Sequence, residues 1–485
     1  MITMSNSSFQ VFNIESLWLF AGETRLNASS YFIDFIKASN LIEKLEKYGF
    51  TTDNLDRFSS DILVGARSKR LYTTKKQGIP YLMPIDLFAL NLKSRKWVRR
   101  ETKDLENWWI SPYTILITQS GTPGRTLIAN KLFEGKVVSP NVIRYVPNEV
   151  GKEKIGYIYA YLSSWMGQAF LLKDLYGATV KHIEPYHIAS IPIPRIPPKL
   201  EEEINQKICE AHRLREEAQE LVLKAEEALY SELDLPEIVE DDIEFFGEEN
   251  GRIVKSFSMK ADELNLRLDA SYHIPLFHSV IQKLTKAKSG TTKSLGNIAE
   301  TFVPPRFKRI YVNDPSEGIP MLQGTHIPQV KPQDIKYIWK KMKNLKSYIV
   351  RKNWILTTCS GTIGRLSLIR DFWDGWTATN HLLRIIPDEN EIHPGYLTAF
   401  LLSIFGKVQF ERLSYGGVVD EIGEAGELFN NILILKPQNE DKEKLIGNLI
   451  FEAYDKRDKA NQIEDKTIKL LEETLEESAL QGVRP

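Results

Sequence analysis

Four short segments of this chain combine basic residues with aromatic ones. They are Arg67, Lys69 and Arg70 before Tyr72; Lys93, Arg95, Lys96, Arg99 and Arg100 around Trp97; Arg306, Lys308 and Arg309 around Phe307; and Lys340, Lys341 and Lys343 after Trp339. Lysine and arginine neutralise phosphates, and a guanidinium group can also reach the edge of a guanine base. These clusters are therefore candidate nucleic-acid contacts. The alternative is a solvated basic face beside a core aromatic side chain.

The elements that would position these clusters occur twice. Residues 120–125 (SGTPGR) return as residues 360–365 (SGTIGR), and Gly78-Ile79-Pro80 returns as Gly318-Ile319-Pro320, both displaced by 240 positions. Residues 25–29 (RLNAS) return as 267–271 (RLDAS), and Tyr176-Gly177 as Tyr415-Gly416, with nearly the same displacement. Collinear matches at one long offset indicate two similar domains in tandem. The basic clusters themselves do not align residue for residue, which favours one fold with two binding preferences.

Local patterns within each copy predict the same elements. Residues 113–118 and 126–129 flank the SGTPGR segment as β-branched, apolar runs, and residues 354–358 and 366–369 do so in the second copy. Two such runs around a glycine-containing connection predict a β-hairpin. A helix is expected from Gly156 and from Gly395, followed by a strand at 191–194 and at 432–437.

A long helix is predicted after each copy, over residues 199–230 and 440–472. Its apolar or small residues recur at alternating spacings of four and three, which is a heptad seam. The seam residues are Ile204, Ile208, Ala211, Arg215 and Ala218 in the first helix and Ile446, Ile450, Ala453, Arg457 and Ala460 in the second. An arginine at the same heptad point in both helices suggests a register-setting or ion-paired site.

The net charge of −1 hides a strong regional pattern. Residues 26–198 carry 24 Lys and Arg against 15 Asp and Glu, and residues 266–438 carry 22 against 15. The connecting residues 199–265 carry 8 against 20, and residues 439–485 carry 8 against 12. Two basic domains thus alternate with acidic connectors, and a basic domain suits a polyanionic partner.

The residue patterns of the common enzyme classes are missing from the sequence. The Pro-Pro pairs at 197–198 and 304–305 lack the preceding Asn or Asp and the following aromatic residue of an amino-methyltransferase. Residues 120–125 depart from a phosphate-binding loop, because Gln119 replaces its first glycine and Arg125 its lysine. No histidine or cysteine pair has metal-ligand spacing. Ser120 and Ser360 are expected to form turns, and His182 and His187 to be structural or surface residues.

Together, the duplication, the paired segments and the trailing heptad helices make the chain resemble the specificity subunits of type I restriction–modification systems, over nearly its whole length. The resemblance implies an α+β protein with two similar target recognition domains in tandem, each followed by a long α-helix, with the helices packed as an antiparallel coiled coil. It also implies that each domain reads one half of a split double-stranded DNA site. Asn27 departs from the aspartate of the second copy, Asp269.

The same resemblance implies partners and the absence of catalysis in this chain. Two methyltransferase subunits that bind S-adenosylmethionine would dock on it, restriction subunits could join, and the chain itself would hold no cofactor or metal. The predicted boundaries are 1–198 for the first recognition domain with its N-terminal extension, 199–250 for the first helix and an acidic linker, 251–438 for the second domain, and 439–485 for the second helix and tail.

Two rival functions remain at this stage. One is a scaffold that binds only proteins, and the other is a tandem RNA-binding protein, in which Trp108 and Trp109 could stack on unpaired bases. Cys209 and Cys359 are too few for a disulfide framework and predict free thiols. We expect a cytoplasmic protein, because no signal-peptide pattern and no apolar run of membrane-spanning length is present.

Overall fold

The computed structural model describes residues 33–176, 181–238, 246–249, 252–264, 267–414, 422 and 427–481. The chain divides into two compact units. The first takes in the chain up to Leu87, residues 93–213 and the chain from Gln462 onward. The second takes in Phe88–Leu92 and Leu214–Asn461. The repeat segments 25–29 and 415–416 and residue 177 lie outside the described residues.

The first unit is built from short strands and helices. Its strands are β1 (Thr52–Asn54), β2 (Ser59–Val64), β3 (Tyr72–Thr73), β4 (Ile79–Leu82), β5 (Lys96–Val98), β6 (Ile115–Thr118), β7 (Thr126–Ile128), β8 (Val137–Val138), β9 (Val142–Pro147) and β10 (Pro192–Pro194). Its helices are α1 (Ile33–Lys47), α2 (Pro84–Leu87), α3 (Glu149–Glu153), α4 (Ile155–Ser163), α5 (Trp165–Leu172) and α6 (Pro185–Ala189). Helix α7 (Pro198–Glu232) begins in the first unit and ends in the second.

The second unit repeats this order after a β-hairpin. Its strands are β11 (Phe246–Glu249), β12 (Arg252–Ser256), β13 (Gly290–Ser294), β14 (Ala299–Phe302), β15 (Tyr311–Val312), β16 (Gly318–Leu322), β17 (Lys336–Trp339), β18 (Ile355–Thr358), β19 (Leu366–Leu368), β20 (Thr377–Ala378), β21 (Leu382–Pro387) and β22 (Leu433–Pro437). Its helices are α8 (Pro275–Lys286), α9 (Pro394–Leu402), α10 (Ile404–Arg412) and α11 (Glu427–Asn430). Helix α12 (Glu440–Gln481) begins in the second unit and ends in the first. The β11–β12 hairpin spans the predicted boundary at 250/251.

The two units have the same sheet topology. The first unit has four-stranded sheets in the orders β2-β9-β6-β7 and β3-β5-β4-β8 and the pair β1-β10. The second has β14-β21-β18-β19, β15-β17-β16-β20 and β13-β22, so each strand's counterpart is twelve further along. A parallel pairing is also shared, between β4 and β8 and between β16 and β20. The predicted duplication and the α+β class are confirmed.

The repeated SGTxGR segment is the connection of a hairpin in both units, as the sequence predicts. Ile115 pairs with Ile128 across β6 and β7, and Ile355 pairs with Leu368 across β18 and β19. The glycines of the turn have left-handed backbones, with φ of 85° and 88° in the first copy and 79° and 78° in the second. Such angles strain residues with a Cβ atom, which explains why glycine stands there in both copies.

The threonine before the turn closes it. The Thr118 hydroxyl donates to the Thr122 carbonyl and accepts the Arg125 amide at 3.0 Å. Thr358 makes the same pair of bonds, to Thr362 at 2.5 Å and from Arg365 at 3.0 Å. The same local hydrogen bonds therefore close the turn in both copies.

Each long helix contributes to the cores of both units. In the first unit, Ile204 and Ile208 of α7 share a hydrophobic cluster with Leu471 and Leu475 of α12. In the second unit, a separate cluster joins other residues of the same helices, namely Ala218, Val222, Ala225 and Leu229 of α7 and Ile446, Ile450, Ala453 and Tyr454 of α12. The apolar stripes are buried along both helices, as a heptad seam requires.

Within the second unit the two helix segments run antiparallel. Arg215 bonds Asn461 at 2.8 Å, Lys456 pairs with Glu217 at 2.8 Å, and the Lys442 ammonium bonds the Glu232 carbonyl at 2.9 Å. The residue number rises along α7 as it falls along α12, which only an antiparallel arrangement produces. Helix α12 extends nine residues beyond the predicted end at 472.

Candidate nucleic-acid interface

The first basic cluster of each copy occupies the same loop. Arg67, Lys69 and Arg70 lie between β2 and β3, and Arg306, Lys308 and Arg309 lie between β14 and β15. Tyr72 pairs with Val98, and Tyr311 pairs with Ile338, at equivalent places in equivalent sheets. Residues 67–72 (RSKRLY) therefore align with residues 306–311 (RFKRIY). The expectation that the basic clusters do not align is wrong for this pair. The two loops are displaced by 239 positions in the sequence, whereas the SGTxGR segments are displaced by 240, so the equivalence emerges only from the strand pairing.

The second pair of clusters is only partly equivalent. The pairing of Ile79 with Val98 in the first copy corresponds to the pairing of Ile319 with Ile338 in the second. Arg99 is therefore the counterpart of Trp339, and Arg100 is the counterpart of Lys340. By the same register Lys93 corresponds to Gln333, Arg95 to Ile335 and Glu101 to Lys341. The residues on and after strands β5 and β17 thus differ between the copies in charge and shape.

One basic position of this region is shared between the copies. The Lys96 ammonium lies 5.1 Å from the centre of the Tyr72 ring, and the Lys336 ammonium lies 5.3 Å from the centre of the Tyr311 ring. A lysine over a tyrosine face at this distance is a cation–π contact. Lys96 is among the sequence-predicted residues, whereas Lys336 is not, although it lies only four residues before Lys340. The strand register places Lys336 beside Tyr311.

Several basic candidates already have protein partners. Arg95 lies 3.5 Å from the buried carboxylate of Asp86, and Lys340 donates to the Ser316 carbonyl at 2.6 Å. Arg309 donates to the Asn380 side chain at 2.9 Å. Arg95 and Lys340 are nonetheless exposed, as are Lys96, Arg99, Arg100, Lys341 and Lys343. The exposed members are the ones whose charges face solvent and could meet phosphates.

The adjacent tryptophans divide between core and surface. Trp108 is fully buried, and its indole donates to the Ala66 carbonyl at 3.1 Å. Trp109 is 39% exposed. Only Trp109 of this pair could stack on a base, so the paired aromatic platform that an RNA-binding protein would use is not formed by these two residues.

A buried arginine occupies the same strand position in both copies. Arg144 of β9 donates to the Trp109 carbonyl at 3.0 Å, and Arg384 of β21 donates to the carbonyls of Ala378 and Thr379 at 2.7 and 2.8 Å. Burial lowers the pKa of each guanidinium to about 10. Each arginine interrupts an apolar run, VIRYVP at 142–147 and LLRIIP at 382–387, and the two are displaced by the repeat offset of 240. This signal could have identified both as buried positions, but they are not among the sequence-predicted residues.

All ten seam residues are buried, and the two seam arginines have different partners. Arg457 bonds the carboxylate of Asp458 at 2.6 Å and the Ser367 hydroxyl at 3.2 Å, and its guanidinium lies 4.1 Å from the Trp373 ring. Arg215 reaches across to Asn461. The sequence suggests a register-setting or ion-paired site at this heptad point, and Arg457 forms an ion pair there.

Other functional features are sparse in the described part of the chain. No group of three His, Cys, Asp or Glu residues there could hold a metal ion. The helices among the described residues include none long and apolar enough to cross a membrane. Cys209 and Cys359 are free thiols, as predicted. Tyr176 contacts both His182 and His187, so these histidines belong to a local aromatic cluster.

Comparison with known proteins gives structural neighbours only. No protein-family model matches the chain, and no curated protein matches it. Among solved structures, the chain is similar to the type I restriction–modification S subunit from M. genitalium, with 12% identity, a TM-score of 0.35, and coverage of 90% of this chain and 96% of the other. It is also similar to the HsdS subunit from Thermoanaerobacter tengcongensis, with 12% identity, a TM-score of 0.26, and coverage of 89% and 96%. A structure describing the assembly and conformational transition of the type I restriction–modification system gives 12% identity, a TM-score of 0.26, and coverage of 89% and 97%.

Proposed function

We propose that this chain is the sequence-reading subunit of a type I restriction–modification complex, or of a related methylation-based defence complex. In this proposal each unit reads one half of a split site in double-stranded DNA. The observation that carries it is the exact repetition of a three-sheet domain, basic in both copies, on two long helices that run from one unit into the other. A bipartite DNA site needs two readers and a fixed spacing between them, and two similar domains joined by two long helices support this proposal.

The helices would set the spacing of the half-sites. Helix α7 has 35 residues and α12 has 42, which at about 1.5 Å per residue corresponds to roughly 50 and 60 Å. Their buried seams favour an antiparallel coiled coil as the spacer. The charge pattern agrees with this division, because the reading domains are basic while the connecting segments are acidic and would not lie against DNA.

Catalysis would come from partners. Two methyltransferase subunits carrying S-adenosylmethionine would dock on this chain, restriction subunits could join them, and the assembly would work in the cytoplasm. The chain would therefore act by positioning its partners on DNA.

The test is binding of duplex DNA by the chain together with its methyltransferase partner. The complex should retard duplexes that carry one bipartite sequence and should methylate them, and substituting either half-site should abolish methylation. Incubated alone with S-adenosylmethionine and DNA, the chain should transfer no methyl groups. Failure to distinguish duplex sequences would favour the protein-only scaffold, and preference for single-stranded RNA would favour the RNA-binding alternative.

A further inference from the structure

The loops with the sequence Arg-x-Lys-Arg, residues 67–70 and 306–309, are anchored by the same device in both copies. The Trp108 indole donates to the Ala66 carbonyl at 3.1 Å, and the Tyr348 hydroxyl donates to the Pro305 carbonyl at 3.3 Å. Each aromatic residue ends the short 3-10 helix that follows β5 or β17, and each carbonyl directly precedes the first arginine of its loop. Two different aromatic residues thus hold equivalent loops at the same point.

The end of each loop is also fixed. The Arg99 amide donates to the Leu71 carbonyl at 2.8 Å, and the Trp339 amide donates to the Ile310 carbonyl at 2.9 Å. These bonds join each loop to the sheet that contains its neighbouring strands. The two basic loops are therefore pinned at both ends in both copies.

The last arginine of each loop is held against the protein. The Arg70 guanidinium lies 5.8 Å from the Tyr81 ring centre, and the Arg309 guanidinium lies 5.6 Å from the Phe307 ring centre. The Nε atom of each is buried without a hydrogen-bond partner. Arg309 also donates to the Asn380 side chain at 2.9 Å, so the ring contacts and this bond hold the two arginines against the protein. Arg70 and Arg309 are positioning residues in this arrangement.

The first arginine and the lysine of each loop face outward. These four exposed residues are Arg67, Lys69, Arg306 and Lys308. Because each loop is fixed at both ends, the positions that its two cations can take are limited. Ordering cations in a rigid loop lowers the entropy lost when they bind an anion. The same pair of cations at the same place in two domains indicates the same ligand group in both.

We infer that these two loops are a matched pair of DNA-backbone clamps, in which Arg67, Lys69, Arg306 and Lys308 hold phosphates and read no bases. This inference rests on the proposed function. Two half-sites of different sequence need different base-reading residues, whereas their phosphates are identical. Most residues on and after β5 and β17 differ between the copies, Lys96 and Lys336 being an exception, whereas the arginine and lysine residues of the Arg-x-Lys-Arg loops are the same in both. Base reading is therefore assigned to the strand region and backbone holding to the loops.

The test compares the wild-type full chain with a quadruple variant, each in complex with the methyltransferase partner. The variant carries Arg67→Ala, Lys69→Ala, Arg306→Ala and Lys308→Ala. Affinity is measured for the recognised duplex and for an unrelated duplex across a range of salt concentrations. The slope of log affinity against log salt should become shallower by about 0.9 per lost phosphate contact, or about 3.6 in total. Affinity for the two duplexes should fall by the same factor, and the methylated sequence should not change.

A matched control removes surface charge elsewhere. Lys47 and Lys407 each form an exposed ion pair with a glutamate four residues away on a helix, and the variant Lys47→Ala with Lys407→Ala should leave the salt slope unchanged. A second control, Arg67→Lys with Arg306→Lys, retains the charges and should retain most of the affinity.

The outcomes separate the clamp from the proposed function. A wild-type complex that ignores duplex sequence overturns the proposed function and the clamp with it. Sequence-specific binding by the wild type together with an unchanged slope in the quadruple variant overturns the clamp alone. An altered sequence preference would make the loops base readers, and loss of the methyltransferase subunit without loss of DNA contacts would make them protein-docking loops. Either result contradicts the inference.

Discussion

The Arg215 guanidinium donates to the Asn461 side-chain oxygen at 2.8 Å, and both residues are buried between α7 and α12. The amide group of Asn461 donates in turn to the Val330 carbonyl at 2.8 Å. One asparagine thus joins the two long helices to the strand region of the second unit. A buried polar residue of this kind specifies the register of paired helices, because a slip by one turn leaves a charged group without its acceptor.

Replacing Asn461 by leucine should destabilise the protein. Arg215 would lose a buried acceptor and Val330 a donor, and each unsatisfied group costs about 1–3 kcal/mol. Asn461→Asp retains the acceptor beside the arginine and should lose less stability. Chemical denaturation followed by circular dichroism would compare the two variants with the wild type. An equal loss in both would show that side-chain volume rather than the hydrogen bond matters at this site.

The unfolding free energy should depend on pH through His393. Its Nδ1 accepts the Gly395 amide at 3.1 Å and caps helix α9. Burial lowers the pKa of His393 from its ordinary 6.5. The unfolded chain therefore binds a proton that the native chain does not, and stability should fall as the pH falls through 6.5 towards the lowered native pKa. The full loss for a buried group is about 1.4 kcal/mol for each unit by which the pKa is lowered, and solvent screening of the half-buried His393 makes the loss smaller.

The matched variant for this prediction is His393→Asn. Asparagine also caps helices but does not titrate, so this part of the pH dependence should disappear while α9 stays capped. Calorimetry of both proteins at pH 7.5 and pH 5.5 would compare the shifts of the unfolding midpoint. Identical shifts would assign the pH dependence to other groups.

Replacing the basic residues on and around β5, or those after β17, should weaken base discrimination at one half-site in each case. Changing Arg95, Lys96, Arg99 and Arg100 to alanine should weaken discrimination at the half-site read by the first unit, with about 1–3 kcal/mol lost for each base contact removed. Changing Lys340, Lys341 and Lys343 to alanine should act on the other half-site. Binding to duplexes with substitutions in either half-site would measure this. A loss spread evenly over both half-sites would mean that these residues hold only phosphates.

Lengthening the paired helices should lengthen the DNA spacer. Duplicating residues 218–224 in α7 and residues 451–457 in α12 adds one heptad to each helix and keeps the seam in phase. Seven residues add about 10 Å at 1.5 Å each, or about three base pairs at 3.4 Å each. Sequencing of methylated sites in cells carrying the variant would report the spacer.

The control for the spacer prediction is an insertion of the same length after Gly135. That glycine lies in an exposed turn with open space around it, so the insertion should leave both the spacer and the half-sites unchanged. An active heptad variant with the original spacer would show that the helices do not set the distance.

The sequence predicts the features of this protein that depend on local patterns. The hairpins around SGTPGR and SGTIGR follow from β-branched runs and from glycines with positive φ, and the buried seam follows from heptad spacing. It does not predict features that depend on register between distant strands. Lys336 meets Tyr311 only because β15 and β17 are paired, and Arg384 is buried only because β20 and β21 bring carbonyls around it. The equivalence of Arg67 and Arg306 also depends on strand pairing, because the displacement between the two copies is 239 positions there and 240 at the SGTxGR segments.

The segment Phe88–Leu92 commits part of one sequence copy to the other unit. The Leu90 amide donates to the Pro328 carbonyl at 2.9 Å, and the Val330 amide donates to the Phe88 carbonyl at 2.8 Å. The Gln219 side chain adds a bond to the Ala89 carbonyl at 3.0 Å. The Leu90 side chain is buried in the hydrophobic cluster of the second unit. A recombination event that exchanges the first sequence copy must therefore preserve an apolar residue at position 90, or the second unit loses part of its core.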